Sequence, residues 1–121
     1  MAQDTVTGVQ TIKIVRPYRS TGYSGFTKSY VLTPSGMIIK PSVMRRSRTG
    51  NHGEDEWLLE PGRYVVIDVN RPNIHGKPKP FEVSVKCIEV SGGKVNTIAE
   101  RKFFIMDYEL SDVRNWAKAI C

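Results

Sequence analysis

Phe81-Glu82-Val83-Ser84-Val85-Lys86-Cys87-Ile88-Glu89-Val90, followed by Ser91-Gly92-Gly93-Lys94, decides how this chain reads. From Phe81 to Cys87 apolar and polar side chains alternate with period two, the pattern of a half-buried strand. After Cys87 the apolar phase moves to Ile88 and Val90, which implies a bulge or a second covered face. Two adjacent glycines then supply the positive φ that primed hairpin turns need. Val95–Ala99 and Lys102–Met106 read as the returning strand.

The same grammar extends upstream. Glu60-Pro61-Gly62 lies between Trp57-Leu58-Leu59 and Arg63–Val69, and Thr33-Pro34-Ser35-Gly36 between Tyr30-Val31-Leu32 and Met37-Ile38-Ile39. Proline presets φ for a turn and glycine takes the positive value, so both read as hairpins. A first strand is expected over Val9–Val15. One helix is expected over 111–121, with Ser111 as N-cap and Val113, Trp116, Ala117 and Ile120 on one face. The expected fold is mainly β: a small antiparallel β barrel or sandwich of about seven strands, with one C-terminal helix packed on it. Its expected core is Ile12, Ile14, Val31, Ile38, Leu58, Val65, Ile67, Val83, Val85, Cys87, Ile98, Phe104, Trp116 and Ile120. Long loops are expected over 16–27, 41–56 and 70–80.

A chain of 121 residues, 40% hydrophobic and 25% charged, reads as a single globular domain over 1–121. Val, Ile and aromatic residues are too plentiful for a wholly disordered chain. The start, Met1-Ala2-Gln3-Asp4-Thr5, lacks the basic and apolar runs of a secretory leader, and no stretch is apolar enough to span a membrane. Two cysteines, Cys87 and Cys121, are too few for a disulfide scaffold. Cys87 reads as a small buried hydrophobe in phase with its neighbours. The expected setting is therefore reducing and cytoplasmic, with a virus made in a host cytoplasm fitting equally.

Charge is unevenly distributed. Met1–Gly53 holds eight basic residues and one acidic, a net +7, whereas the remaining 68 residues are nearly balanced at −1. Arg45-Arg46-Ser47-Arg48 concentrates three guanidiniums whose forks match phosphate oxygens. Arg16 and Arg19 lie near Tyr18, Tyr23 and Phe26, and Lys77 and Lys79 alternate with prolines beside His75. Cations interleaved with aromatics suit a nucleic-acid backbone and unpaired bases. Glu54-Asp55-Glu56 follows the arginine cluster closely enough to neutralise it.

Motifs for phosphate loops, serine elbows and zinc proteases are missing from the sequence. Any acid–base chemistry would fall to His52 or His75. The expected function is thus non-enzymatic: binding of a polyanion, foremost nucleic acid, by Arg16, Arg19, Tyr23, Arg45, Arg46, Arg48, His75, Lys77 and Lys79. No catalytic residue, metal ligand, cofactor or membrane contact is assigned. The alternative is a protein-interaction module, such as a viral structural component or an inhibitor docking on an acidic surface. A small metal-independent nuclease is a third reading.

Overall fold

The structure, a computed structural model, describes residues 10–20, 25–72 and 79–121. Its strands are β1 (Ile12–Ser20), β2 (Phe26–Leu32), β3 (Ile38–Ile39), β4 (Val43–Arg46), β5 (His52–Leu59), β6 (Gly62–Arg71), β7 (Phe81–Ser91) and β8 (Lys94–Ile105). One helix, α1 (Leu110–Ile120), ends the chain. Among the described residues these eight strands form one open antiparallel sheet, ordered β4-β5-β1-β2-β6-β7-β8, with β3 also on β2.

The central strand β6 dictates the layering. Val65, Val66 and Ile67 are consecutive and each at most 1% exposed. Alternating residues of a strand face opposite ways, so both faces of the sheet must be covered here. On one face Tyr30, Leu32, Val65, Ile67, Val69, Phe81, Val83 and Val85 pack against Val113 and Ala117 of α1. On the other, Val31, Val66, Ile88 and Val90 pack against Ile14, Trp57 and Leu59.

This second cover is the sheet itself, folded back. β1 pairs with β2 only at Arg19↔Thr27 and Ser20↔Phe26. It then departs, carrying β5 and β4 with it, and β3 takes the vacated edge at Val31↔Ile39 and Leu32↔Ile38. Pro17, which has no N–H to donate, sits in the part of β1 paired with β5 alone. The Trp57 indole donates to the Ile39 carbonyl at 2.9 Å, tying the layers together. The arrangement is sandwich-like and unclosed.

The β7–β8 hairpin forms as expected, with Gly92 and Gly93 at φ +59° and +73°. The phase change after Cys87 comes from the second covered face, and a bulge occurs beside it on the partner strand β8. Ile88 and Val90 face the second core, and the register of β8 slips at Cys87/Ile88, leaving Ile98 as the extra residue. The β2–β3 hairpin also forms.

Other expectations are corrected. β5 and β6 do not pair: Glu60-Pro61 carries the chain from one layer to the other, where the Tyr64 hydroxyl donates to the Glu60 carbonyl at 2.8 Å. Leu58, Ile98 and Phe104 are 55%, 47% and 68% exposed, while their neighbours Trp57, Leu59 and Phe103 face inward. Two of the three long loops are largely strand. Arg16–Ser20 belongs to β1, and 41–56 contains β4 and the start of β5. Asn70 and Arg71 end β6, and the centre of the third loop lies outside the described residues. Polar composition concealed these strands because their partners are charged rather than apolar. The helix begins at Leu110, with Glu109 as N-cap, whose N–H donates to the Asp112 carboxylate at 2.8 Å.

The cysteines are corrected too. Cys87 is fully buried but bonded to Cys121, so the end of α1 is fastened to β7. At the helix entrance the Tyr30 and Tyr108 hydroxyls share a hydrogen bond of 2.9 Å, and burial raises the pKa of both phenols. Edge-on aromatic contacts link Phe26 to Phe81 and Phe81 to Tyr108, and Phe103 meets Trp116 in the same way.

The bridge spans a sequence separation of 34. Closing a loop of that size restricts the unfolded chain by about 3–4 kcal/mol. Thermal unfolding followed by circular dichroism should therefore show the reduced protein melting about 10–20 °C below the oxidised one. Equal melting temperatures would mean that the helix is held by packing alone.

Candidate nucleic-acid interface

The register brings the end of β1 at Arg19, the β4–β5 turn with Arg48 and the start of β7 beside Lys79 to one end of the fold. β1 finishes at Ser20 beside the start of β2 at Phe26, and Phe26 pairs with Arg71 at the end of β6. β7 begins nearby at Phe81, and the β4–β5 turn over 47–51 meets β1, where the Ser20 N–H donates to the Asn51 carbonyl at 2.9 Å. The ends of β1, β4 and β6 and the beginnings of β2, β5 and β7 thus share this pole. Tyr23, His75 and Lys77 fall in segments 21–24 and 73–78, outside the described residues.

The remaining candidates divide sharply. Arg16 is not in a loop. It lies on β1 and its Nε donates to Asp68 Oδ1 at 3.2 Å, and the Ser29 hydroxyl donates to the same oxygen at 2.6 Å. Arg45 and Arg46 are likewise on a strand, the edge strand β4. Arg45 pairs with Glu56, and Arg46 donates to Asp55 Oδ1 at 2.9 Å. The run Glu54-Asp55-Glu56 is on β5, directly opposite β4, which is why it neutralises the cluster.

Arg19, Arg48 and Lys79 make no ion pair among the described residues. Arg19 is half-buried at the end of β1, Arg48 is exposed in the β4–β5 turn, and Lys79 is exposed just before β7. Lys28, interleaved with aromatics in the sequence, and Arg71, which the sequence reading missed, join them. The Arg71 guanidinium lies 4.4 Å from the centre of the Phe81 ring. The Lys28 ammonium lies 5.4 Å and 5.3 Å from the rings of Tyr18 and Tyr30. Tyr18 also carries Arg46 at 3.8 Å, so its ring serves as a platform for cations. Only the register, not the local sequence, reveals that Arg71 belongs to this pole. Glu82 and Asp107 are acidic residues at the same end.

The close approach of β4 depends on Gly53. A Cβ there would meet the Arg45 carbonyl oxygen at 1.8 Å, a backbone clash no rotamer relieves. Chemically the pole offers cations, aromatic faces and backbone donors. No group of three or more His, Cys, Asp or Glu side chains able to hold a metal occurs among the described residues. His52 is exposed at the start of β5, with its backbone N–H donating to the Ser47 hydroxyl at 3.2 Å. No helix among the described residues is long and apolar enough to cross a membrane.

The Arg45 hydrogen bond holds the Glu56 carboxyl below its ordinary pKa. The unfolded chain therefore takes up this proton before the folded one. The pair's contribution is complete above the ordinary glutamate value of about 4.3 and fades as pH falls below it. Urea titrations from pH 6 to pH 3 should show a smaller acid-induced loss of stability in Glu56→Gln than in the parent. Identical losses would remove Glu56 from the acid response.

No protein-family model matches the chain, and no curated protein matches its sequence. Three solved structures share the fold. An engineered protein from the Northeast Structural Genomics Consortium aligns with TM-score 0.57 and 15% identity, covering 78% of this chain and 59% of that one. ORF157 of Acidianus filamentous virus 1 aligns with TM-score 0.57 and 13% identity, over 78% and 61%. A variant of ORF157 gives TM-score 0.54 and 15% identity, over 77% and 60%. The chain thus spans about three-fifths of the length of these proteins, and at such identities the likeness is one of fold.

Proposed function

We propose that this protein is a non-enzymatic binder of a polyanion, foremost single-stranded nucleic acid, at the pole where β1, β4 and β6 end. The observation that carries this reading is the gathering of Arg19, Arg48 and Lys79 at one end without acidic partners among the described residues. Arg71, Lys28 and the Tyr18 platform supply further cationic and aromatic surface. Arg45 and Arg46 act here as braces for β4, adding charge without leading the contact. Each phosphate neutralised by these cations releases counterions.

A viral setting, one of those weighed from the sequence, is in keeping with the fold shared with one viral protein, ORF157, and forms part of this reading. Within it, the Cys87–Cys121 bridge favours a virion or another oxidising environment over a reducing cytoplasm.

Fluorescence anisotropy with a labelled single-stranded oligonucleotide tests the proposal. Affinity should fall steeply with salt, and the Arg19→Ala, Arg48→Ala, Lys79→Ala triple variant should flatten the log–log salt slope by about two. The oligonucleotide should remain intact throughout. Lack of binding at low salt would overturn the proposal, and cleavage would overturn its non-enzymatic part. Capture of an acidic protein from nuclease-treated extract would favour the protein-docking alternative.

A further inference from the structure

The sheet ends at β8, which pairs with β7 on one side and with no other strand among the described residues. This edge is 12 residues long, and Val95, Ile98 and Phe104 on it are 42%, 47% and 68% exposed. A long edge carrying exposed apolar side chains is a template for strand addition. Its middle is Glu100-Arg101-Lys102, and the Glu100 and Lys102 side chains share an exposed ion pair of 3.8 Å.

We infer that β8 is a self-association edge whose occupant is a second copy of this chain, paired antiparallel about a two-fold axis at Arg101. Register selects this pairing. In a symmetric antiparallel pair, opposite residues lie on the same face of the sheet. With the axis at Arg101, Glu100 of each copy faces Lys102 of the other, twice over. Ile98, the extra residue of the bulge, interrupts the ladder, so regular pairing in this register runs from Ala99 to Phe103 of each copy. Moving the axis by one residue opposes Glu100 to Glu100 or Lys102 to Lys102, which is unfavourable. Arg101 faces its own copy at the axis. Its guanidinium is drawn over its own Phe103 ring, 5.6 Å from the centre, on the helix side of the sheet. The edge is therefore complementary to itself in one register.

A charge-swap experiment isolates this pairing from general stickiness. Sedimentation velocity should show the parent associating to a dimer as concentration rises. Glu100→Lys places lysines opposite each other, and Lys102→Glu places glutamates opposite each other, so each alone should weaken self-association by about tenfold. An equimolar mixture of the two should recover it, because every cross-strand pair is then of opposite sign. Both positions are surface-exposed, and unchanged circular dichroism spectra confirm folded variants. A parent that stays monomeric at millimolar concentration would overturn the inference. So would variants that dimerise as the parent does, or a mixture that fails to recover association. Nucleic-acid binding is read separately, through Arg19, Arg48 and Lys79, so either proposal can fail alone.

Discussion

The structure hangs on the burial of β6 from both sides. Val65 and Ile67 require a cover on one face and Val66 on the other, and no strand can turn both faces to water at such cost. The helix supplies one cover. The other comes from β1 and β5, which must leave the sheet's plane to provide Ile14, Trp57 and Leu59. The parting of β1 from β2, the short substitute strand β3 and the sandwich-like shape all follow from that single requirement. So does the meeting of strand ends at one pole, because β1 can leave β2 only after pairing with it at Arg19 and Ser20.

Charge is then distributed by position in this frame. On β4 and β5 opposite charges face one another across a ladder, so Arg45 and Arg46 are consumed in holding an edge strand that lacks apolar anchors. Arg16 is spent on Asp68 where the two layers separate. At the pole, Arg48 in the turn, Arg19 at the end of β1 and Lys79 before β7 make no ion pair among the described residues. Three of the eight basic residues in the first 53, Arg16, Arg45 and Arg46, are thus held in ion pairs, and Arg19 and Arg48 are open to a partner at one pole.

Where apolar alternation drove the fold, the sequence was legible. The β7–β8 hairpin, the β2–β3 turn, the amphipathic helix and the mainly antiparallel class all follow from local pattern. What escaped was set by distant partners. Arg16–Ser20 and His52–Glu56 look like loop because each finds its complement in the other strand, not in its own neighbours. Trp57 and Leu58 differ only in phase, and nothing local tells which one faces the core. The Cys87–Cys121 bridge needed the helix to run back along β7 before the two sulfurs could meet. For the binding surface, the sequence identified cations but not their pairing, which is a property of register.

The central claim is a location: a polyanion meets this fold at the pole where β1, β4 and β6 end. Backbone amide shifts of the isotope-labelled protein, followed by NMR as a single-stranded oligonucleotide is added, test it directly. Perturbations should concentrate at Arg19–Ser20, Ser47–His52, Arg71 and Lys79–Phe81. Shifts concentrated instead at the opposite end, over Thr33–Gly36, Glu60–Arg63 and Ser91–Lys94, would contradict it.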